Sequence, residues 1–318
     1  MATYVYRRQV SDSARELAMA LGATRYRGTT YPIERKVRPG DVVIAWGESL
    51  PALNQVRTLN GGPIRSKYDD AVALRLANVN TIEVARQRPA PIPIAPATDP
   101  AVALFREALE TSEEFGNLAE IQTAQLRLPP FRAGLTALMA SLTSLNQALD
   151  VPAPIARVEA VVDWVGRNND HVGGNDLLNP TTNPAYYSKK ENFVQEFRIH
   201  SFLGRSIRAG VKVPREDMTP HAWVRSWDGG WRMNYDGVTA QQAHRIIAHQ
   251  ACQALNLDFG AVDIGEKADG TLVVLEVNRA PGLEGGTITR YAGAINRWMS
   301  GEWTATNLDE TRPARRAA

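Results

Sequence analysis

Residues 257–286 read LDFGAVDIGEKADGTLVVLEVNRAPGLEGG, and they set the terms for the rest of the chain. Two apolar runs, Phe259 to Gly265 and Thr271 to Asn278, flank Glu266, Lys267, Ala268 and the turn pair Asp269-Gly270, so an antiparallel hairpin is predicted. Side chains alternate along a strand. Glu276 and Asn278 therefore share one face and Leu275 and Val277 the other. With Glu266 opposite Thr271, Asp263 joins the face of Glu276 and Asn278, and two carboxylates meet an amide oxygen. Such hard oxygen donors suit Mg²⁺ held jointly by protein and substrate phosphates. A surface hairpin with solvated carboxylates is the competing reading. Against it, Glu276 interrupts an apolar strand, where an unpaired charge is costly to bury. Ala280-Pro281-Gly282 then ends the strand, and Gly285-Gly286 leaves backbone amides free to approach an anion.

These thirty residues resemble the C-terminal core of the ATP-grasp superfamily, whose carboxylate-amine ligases end in a similar strand pair. The resemblance implies ATP, Mg²⁺ or Mn²⁺ on Asp263, Glu276 and Asn278, and acyl-phosphate chemistry. Its finer flavour is RimK-like and phage-type, suggested by the "WG" element at Trp46-Gly47 and the EFRIH strand.

Residues 186–213, YYSKKENFVQEFRIHSFLGRSIRAGVKV, carry the next element. Alternation places Glu196, Arg198 and His200 on one strand face and Phe197, Ile199 and Ser201 on the other, so the polar set is positioned to line a cleft. A surface ladder of Glu and Arg is the plainer alternative. By resemblance, Arg198 contacts phosphate through its planar fork, Glu196 and Lys212 belong to the nucleotide site, and Tyr186, Tyr187, Ser188 and Lys190 fall near the adenine-contacting linker. Residues 161–178, VVDWVGRNNDHVGGNDLL, form a β-branched run and a glycine loop. Arg167 matches the family's cation at the end of such a strand, and His171, Gly173 and Gly174 its loop over the triphosphate; taken alone, a plain turn fits them better. Residues 40–70 contain the buried-strand run Val42 to Ile44 ending in Trp46-Gly47, as a parallel strand opens into a ligand loop. Lys67, before a helix, matches a lysine of the pre-ATP-grasp domain; a solvated helix start is the alternative. Arg279, beside Asn278, is the candidate for steadying an acyl phosphate, although the family often has a small residue there.

The 318 residues exceed a typical single domain, and 44% hydrophobic and 22% charged residues are ordinary for a globular protein. A formal net charge of +2 argues for no nucleic-acid partner. The single cysteine, Cys252, rules out an internal disulfide framework, and its apolar surroundings make it a buried helix position. No apolar run approaches a membrane span, and MATYVYRRQV lacks a signal-peptide core, which reads as cytoplasmic.

The predicted organisation is α/β (α+β): a pre-ATP-grasp domain over 1–88, a proline-rich linker over 89–100, a helical insertion over 101–150, an ATP-grasp domain over 151–300 and a poorly ordered tail over 301–318. Within it, Ser11 caps a helix to Leu21, a leucine stripe from Leu135 to Leu149 marks a buried helical face, and Ala240 to Leu257 is the helix before the hairpin. The implied activity is an ATP-dependent ligase joining a carboxylate donor to an amine acceptor, whether amino acid, peptide or protein. A non-catalytic nucleotide-binding protein and a phosphotransferase are the alternatives.

Overall fold

The computed structural model describes residues 1–29, 31–89, 164–167, 183–221 and 224–304. The predicted linker at 89–100 (Pro89 apart), the helical insertion, the leucine stripe, the loop with His171, Gly173 and Gly174, and most of the tail lie outside these residues.

The N-terminal part forms a four-stranded parallel sheet ordered β2-β1-β3-β4, from β1 (Thr3–Tyr6), β2 (Thr24–Tyr26), β3 (Val42–Ala45) and β4 (Arg57–Leu59). All four residues of β3 are buried, as its continuous apolar run requires of a strand covered on both faces. Helix α1 (Asp12–Ala20) begins where Ser11 accepts from the Ala14 amide, and it buries Ala14, Leu17 and Ala18 at helical spacing. Helix α2 (Lys67–Leu76) starts at an equivalent cap, with Ser66 accepting from the Asp69 amide, so Lys67 is its first residue.

The second unit is a five-stranded antiparallel sheet ordered β10-β9-β8-β11-β12. Its strands are β8 (Gln195–Phe202), β9 (Arg205–Pro214), β10 (Trp231–Asn234), β11 (Phe259–Glu266) and β12 (Leu272–Asn278). The hairpin departs from the expected register in one respect. Glu266 pairs with Leu272, not Thr271, and a bulge between Asp263 and Ile264 absorbs one residue of β12. Asp263 consequently stands directly opposite Glu276, where the simpler register put it opposite Val274. Both registers leave the two carboxylates on one face.

Helix α3 (Gln242–Ala254) covers the other face: Ile247, Ala248, Ala251 and Cys252 pack with Ile199, Val262, Ile264 and Val277. Burial pushes the Cys252 thiol up to about 12, a helix-core position and not a nucleophile. Residues 80–82 hydrogen-bond along the free edge of β12, Asn80 accepting from Val274 and Ile82 donating to it, which leaves that edge covered. The chain then enters a three-stranded sheet, β5-β7-β6, from β5 (Val84–Ala85), β6 (Trp164–Arg167) and β7 (Tyr186–Lys189). Tyr186 to Ser188, expected near an adenine-contacting linker, lie on the central strand of that sheet.

Helix α4 (Thr287–Met299) closes the described chain. Its Tyr291 and Ile295 join Val5, Leu17, Ile44, Trp46, Phe202, Phe259 and Leu283 in one core, so the parallel and antiparallel sheets share apolar contacts. Asn60 pins the junction polar group by polar group. Its Oδ1 accepts from the amides of Asp258 (2.8 Å) and Phe259 (3.1 Å), its Nδ2 donates to the Phe259 carbonyl (2.8 Å), and its own amide donates to Asp258 Oδ2 (2.7 Å). No described helix is long and apolar enough to cross a membrane.

Candidate active site

Strand pairing assembles a row of charge across the sheet. Gly210, Arg198, Asp263 and Glu276 lie opposite one another in turn across β9, β8, β11 and β12. Arg198 holds Asp263 with both fork nitrogens, Nε to Oδ1 at 2.6 Å and Nη2 to Oδ2 at 2.7 Å, the bidentate geometry that a guanidinium makes with a carboxylate. Asp263 keeps the Arg198 pKa raised. At the end of the row Lys67 Nζ reaches across from the first turn of α2 to Glu276 Oε2 at 3.0 Å, and Asn278 Nδ2 donates to Glu276 Oε1 at 2.9 Å. Burial alone would raise the Glu276 pKa. Lys67, Asn278 and Arg198 together outweigh it and hold the carboxyl down at about 2. The glycine at 210 is required: a Cβ there would come within 2.7 Å of the Tyr235 ring and 2.9 Å of Met233 Sδ, both of which lie over this row.

A second cluster lies along the same face. Lys212 Nζ meets Glu196 Oε2 at 2.9 Å, and Arg225 Nε lies 3.7 Å from Glu196 Oε1. Arg225 also donates to the Phe193 carbonyl and stacks 4.7 Å from the Trp231 ring centroid. Its Nη1, fully enclosed, has no hydrogen-bond partner among the described residues. One such buried donor is costly to leave unpaired and marks where an anion would be welcome.

His200, fully buried, separates the charged row from the aromatic core. Its ring nitrogens face two phenols, Nδ1 with Tyr291 Oη and Nε2 with Tyr235 Oη, each at 3.2 Å. Burial first, then Arg198 and Arg208, lower its pKa to about 3, so it is neutral at pH 7 and joins the phenols as hydrogen-bond partner, not as a cation.

Of the residues singled out in the sequence, the fold brings Lys67, Arg198, Asp263, Glu276 and Asn278 into one cluster and Glu196 and Lys212 into the next. Arg279 lies apart from both. Its guanidinium donates to the Pro63 carbonyl and to Asp70 Oδ1 at 2.9 Å, tying the end of β12 to the first turn of α2. Arg167, on β6, donates from Nε to Ser188 Oγ at 2.9 Å, and Tyr187 pairs with Gly166 on the same small sheet. Lys190 follows β7 directly. Arg208, Arg225, Tyr235 and Tyr291 were not picked out by sequence patterns. For Arg208 a signal existed, since it alternates with Gly210 and Lys212 on β9.

The donors fit a divalent cation of the hard class. They are oxygens only, and Glu276 is held ionised, with Arg198 and Lys67 occupying the charge that a metal would share. Among the described residues no three His, Cys, Asp or Glu side chains gather as a metal cage. Two carboxylates and an amide leave room for phosphates and water, the mode in which Mg²⁺ is usually held. A surface groove of about 440 Å³, lined by Leu50, Leu53, Val56 and Asp258 among others, opens elsewhere and contains none of these residues.

No protein-family model matches the sequence, and none of the curated proteins does. Solved structures do. The ATP-grasp ligase PsnB complexed with a minimal precursor superposes with a TM-score of 0.52 at 11% identity, over 95% of this chain and 100% of that one. The same ligase with minimal precursor, Mg and ADP gives a TM-score of 0.50 at 11% identity, over 94% and 98% of the two chains. With a phosphomimetic precursor variant, Mg and ADP it gives 0.50 at 11%, over 94% and 99%. At such identity the likeness concerns architecture, and the architecture of this chain is the ATP-grasp fold.

Proposed function

We propose, from the ATP-grasp fold and the charged row that crosses its antiparallel sheet, that this protein is an ATP-dependent carboxylate-amine ligase that forms an amide or peptide bond and releases ADP and phosphate. The observation that carries the reading is the convergence of Arg198, Asp263, Glu276, Asn278 and Lys67, drawn from three strands and a helix into one cluster. Asp263, Glu276 and Asn278 would hold Mg²⁺, which when bound neutralises charge on the phosphates.

The chain's own side chains account for the remainder. A substrate carboxylate oxygen bonds to the γ-phosphorus of ATP as the bond to ADP breaks. The amine nitrogen then bonds to the acyl carbon, and phosphate departs. Arg198 spends Nε and one Nη2 hydrogen on Asp263, which leaves further guanidinium donors for the transferring phosphoryl oxygens. Lys212 and Arg225, sharing one carboxylate between two cations, give a net positive flank for the nucleotide. The RimK-like, phage-type subtype belongs to the same proposal, supported by the Trp46-Gly47 element and the EFRIH strand.

The ion pairs favour one rival reading, a nucleotide-binding protein without turnover, because both carboxylates are already charge-balanced by Arg198 and Lys67. Calorimetric titration of ATP with and without Mg²⁺, on the native chain and on Glu276→Gln, separates the cases. The ligase reading expects Mg²⁺-dependent binding weakened at least about tenfold by the substitution, the loss of roughly one charge-assisted contact, together with phosphate release that depends on an added amine. Binding without ADP release against any carboxylate-amine pair selects the rival, and a stable phosphorylated product selects a phosphotransferase. No nucleotide binding sinks all three.

A further inference from the structure

Among the described residues, each cation that lines the charged face has a carboxylate, with one exception. Arg198 has Asp263, Lys67 has Glu276, and Lys212 and Arg225 share Glu196. Arg208 has none among the described residues. Its Nη1 donates to the Glu284 carbonyl at 3.2 Å and to Thr287 Oγ1 at 2.5 Å, and its guanidinium carbon lies 4.0 Å from the Tyr235 ring centroid. These contacts are neutral. They fix the fork in place without an ion pair.

The position is as informative as the missing partner. Arg208 stands opposite His200, His200 opposite Ala261 and Ala261 opposite Asn278, one side-chain row along from Arg198, Asp263 and Glu276. Strand spacing puts its Cα about 12 Å from that of Asp263, two strands across and two residues along, which a small polar molecule spans. None of its neighbours in the row competes for an anion as a second charge: His200 is held neutral, and Ala261 is apolar. On the other side Gly286 packs beside Nη1, where a Cβ would lie 3.4 Å away, and with both Nη1 hydrogens given to Glu284 and Thr287 it is the Nε and Nη2 donors that have no partner among the described residues.

We infer that Arg208 is the anchor for a carboxylate that the reaction does not consume, carried by the amine acceptor, so that the acceptor is a free amino acid or a peptide with a free C-terminal carboxylate. A planar fork held rigidly by a hydroxyl, a carbonyl and an aromatic face is suited to bidentate recognition of such a group. The assignment to the acceptor rests on the ligase reading; the oxyanion site at Arg208 does not.

The test is calorimetric titration of a panel of free amino acids and short peptides, each beside its C-terminal amide, onto the full chain with Mg²⁺ and ADP, and again without nucleotide. The native protein is expected to bind at least one acid tenfold or more tighter than its amide. Arg208→Gln should collapse that ratio to near one while the ADP affinity stays within twofold, and Arg208→Lys should retain part of the ratio. A purely structural brace would lower acid and amide affinities together and leave the ratio intact, which overturns the inference. So does a native protein that binds no acid of the panel, or binds acids and amides alike. Loss of ADP affinity in Arg208→Gln would assign the oxyanion to a nucleotide phosphate and equally overturn the acceptor assignment. If ADP never binds yet the acid-over-amide ratio depends on Arg208 in its absence, the oxyanion site stands, and the ligase reading falls with its acceptor assignment.

Discussion

Phe259 and Asp263 occupy the same face of one strand, four residues and about 13 Å apart, yet they belong to opposite kinds of environment. At the Phe259 end the face is dry. Trp46 stacks on Phe259 at 5.2 Å, Phe202 lies parallel at 6.1 Å, and Tyr291 meets both Trp46 and Phe259 edge-on. At the Asp263 end every side chain in the row is charged or polar and paired. The change occurs over one row, at His200, whose phenol partners belong half to each side. The contrast teaches a division of labour: the aromatic end joins the two sheets and supplies stability, while the ionic end, whose attractions are largely offset by desolvation, supplies recognition.

The sharpest way to break that division is at Trp46, which is fully buried and donates from Nε1 to Ser13 Oγ at 3.0 Å. Trp46→Ala leaves a large cavity between Phe259 and Tyr291 and is expected to cost about 3–5 kcal/mol in urea unfolding. Below its lowered midpoint the folded variant should still bind nucleotide within a factor of about two, since no charged side chain has moved. Nucleotide binding lost without a loss of stability would mean that the aromatic end is part of the site.

The boundary residue carries a smaller effect with a definite pH signature. His200 titrates near 3 when folded and near 6.5 in the unfolded chain. Above 6.5 it is neutral in both states and contributes nothing. Between 6.5 and about 3 only the unfolded chain takes up the proton, so stability falls as pH falls, by about 1.4 kcal/mol per pH unit. His244 and His249, buried in α3 without a hydrogen-bond partner among the described residues and with pKa values lowered by burial, act in the same direction. His200→Gln removes one titration while keeping a polar partner for the tyrosines. Its loss of unfolding free energy from pH 7 to pH 5 should be about 2 kcal/mol smaller than that of the native chain. Equal losses in the two proteins would mean that the imidazole is protonated in the fold.

The two ends also differ in how legible they are in sequence. Phe259, Trp46 and the strand β3 announce themselves as apolar runs, and Ser11 as a helix cap, because burial and capping act over a few residues. The hairpin face of Asp263, Glu276 and Asn278, and the alternation of Glu196, Arg198 and His200, were equally local. The bulge that sets Asp263 against Glu276 was not, since either register satisfies the same apolar pattern and only the three-dimensional pairing chooses. Arg279 shows the limit most clearly. Beside Asn278 in sequence, it turns to Asp70, 209 positions away, and no local periodicity encodes that pairing. Arg225, Tyr235 and Tyr291 reach the site from a loop, a strand end and a helix, each too isolated to form a pattern.

The smallest expected effect tests the ionic end most directly. Lys67 and Glu276 keep 25% and 33% of their side chains exposed, so their ion pair is of the partly solvated kind that adds no more than about 1 kcal/mol to stability. Its consequence for binding is larger in kind, because the ammonium sits on an oxygen that a divalent cation would need. Lys67→Met keeps the aliphatic stem against the hairpin and removes the competing charge. The variant should unfold within about 1 kcal/mol of the native chain while its affinity for Mn²⁺, titrated alone, rises by roughly fivefold, the equivalent of that same energy. The expected sign follows from charge alone: Arg198 is engaged bidentately by Asp263, so with Lys67 gone Glu276 retains only the Asn278 amide as a hydrogen-bond partner among the described residues and becomes the better cation ligand. A Mn²⁺ affinity that instead falls would show Lys67 holding Glu276 in the binding geometry, and a stability loss well beyond 1 kcal/mol would show that the ionic end is as much a part of the joint between the sheets as the aromatic one.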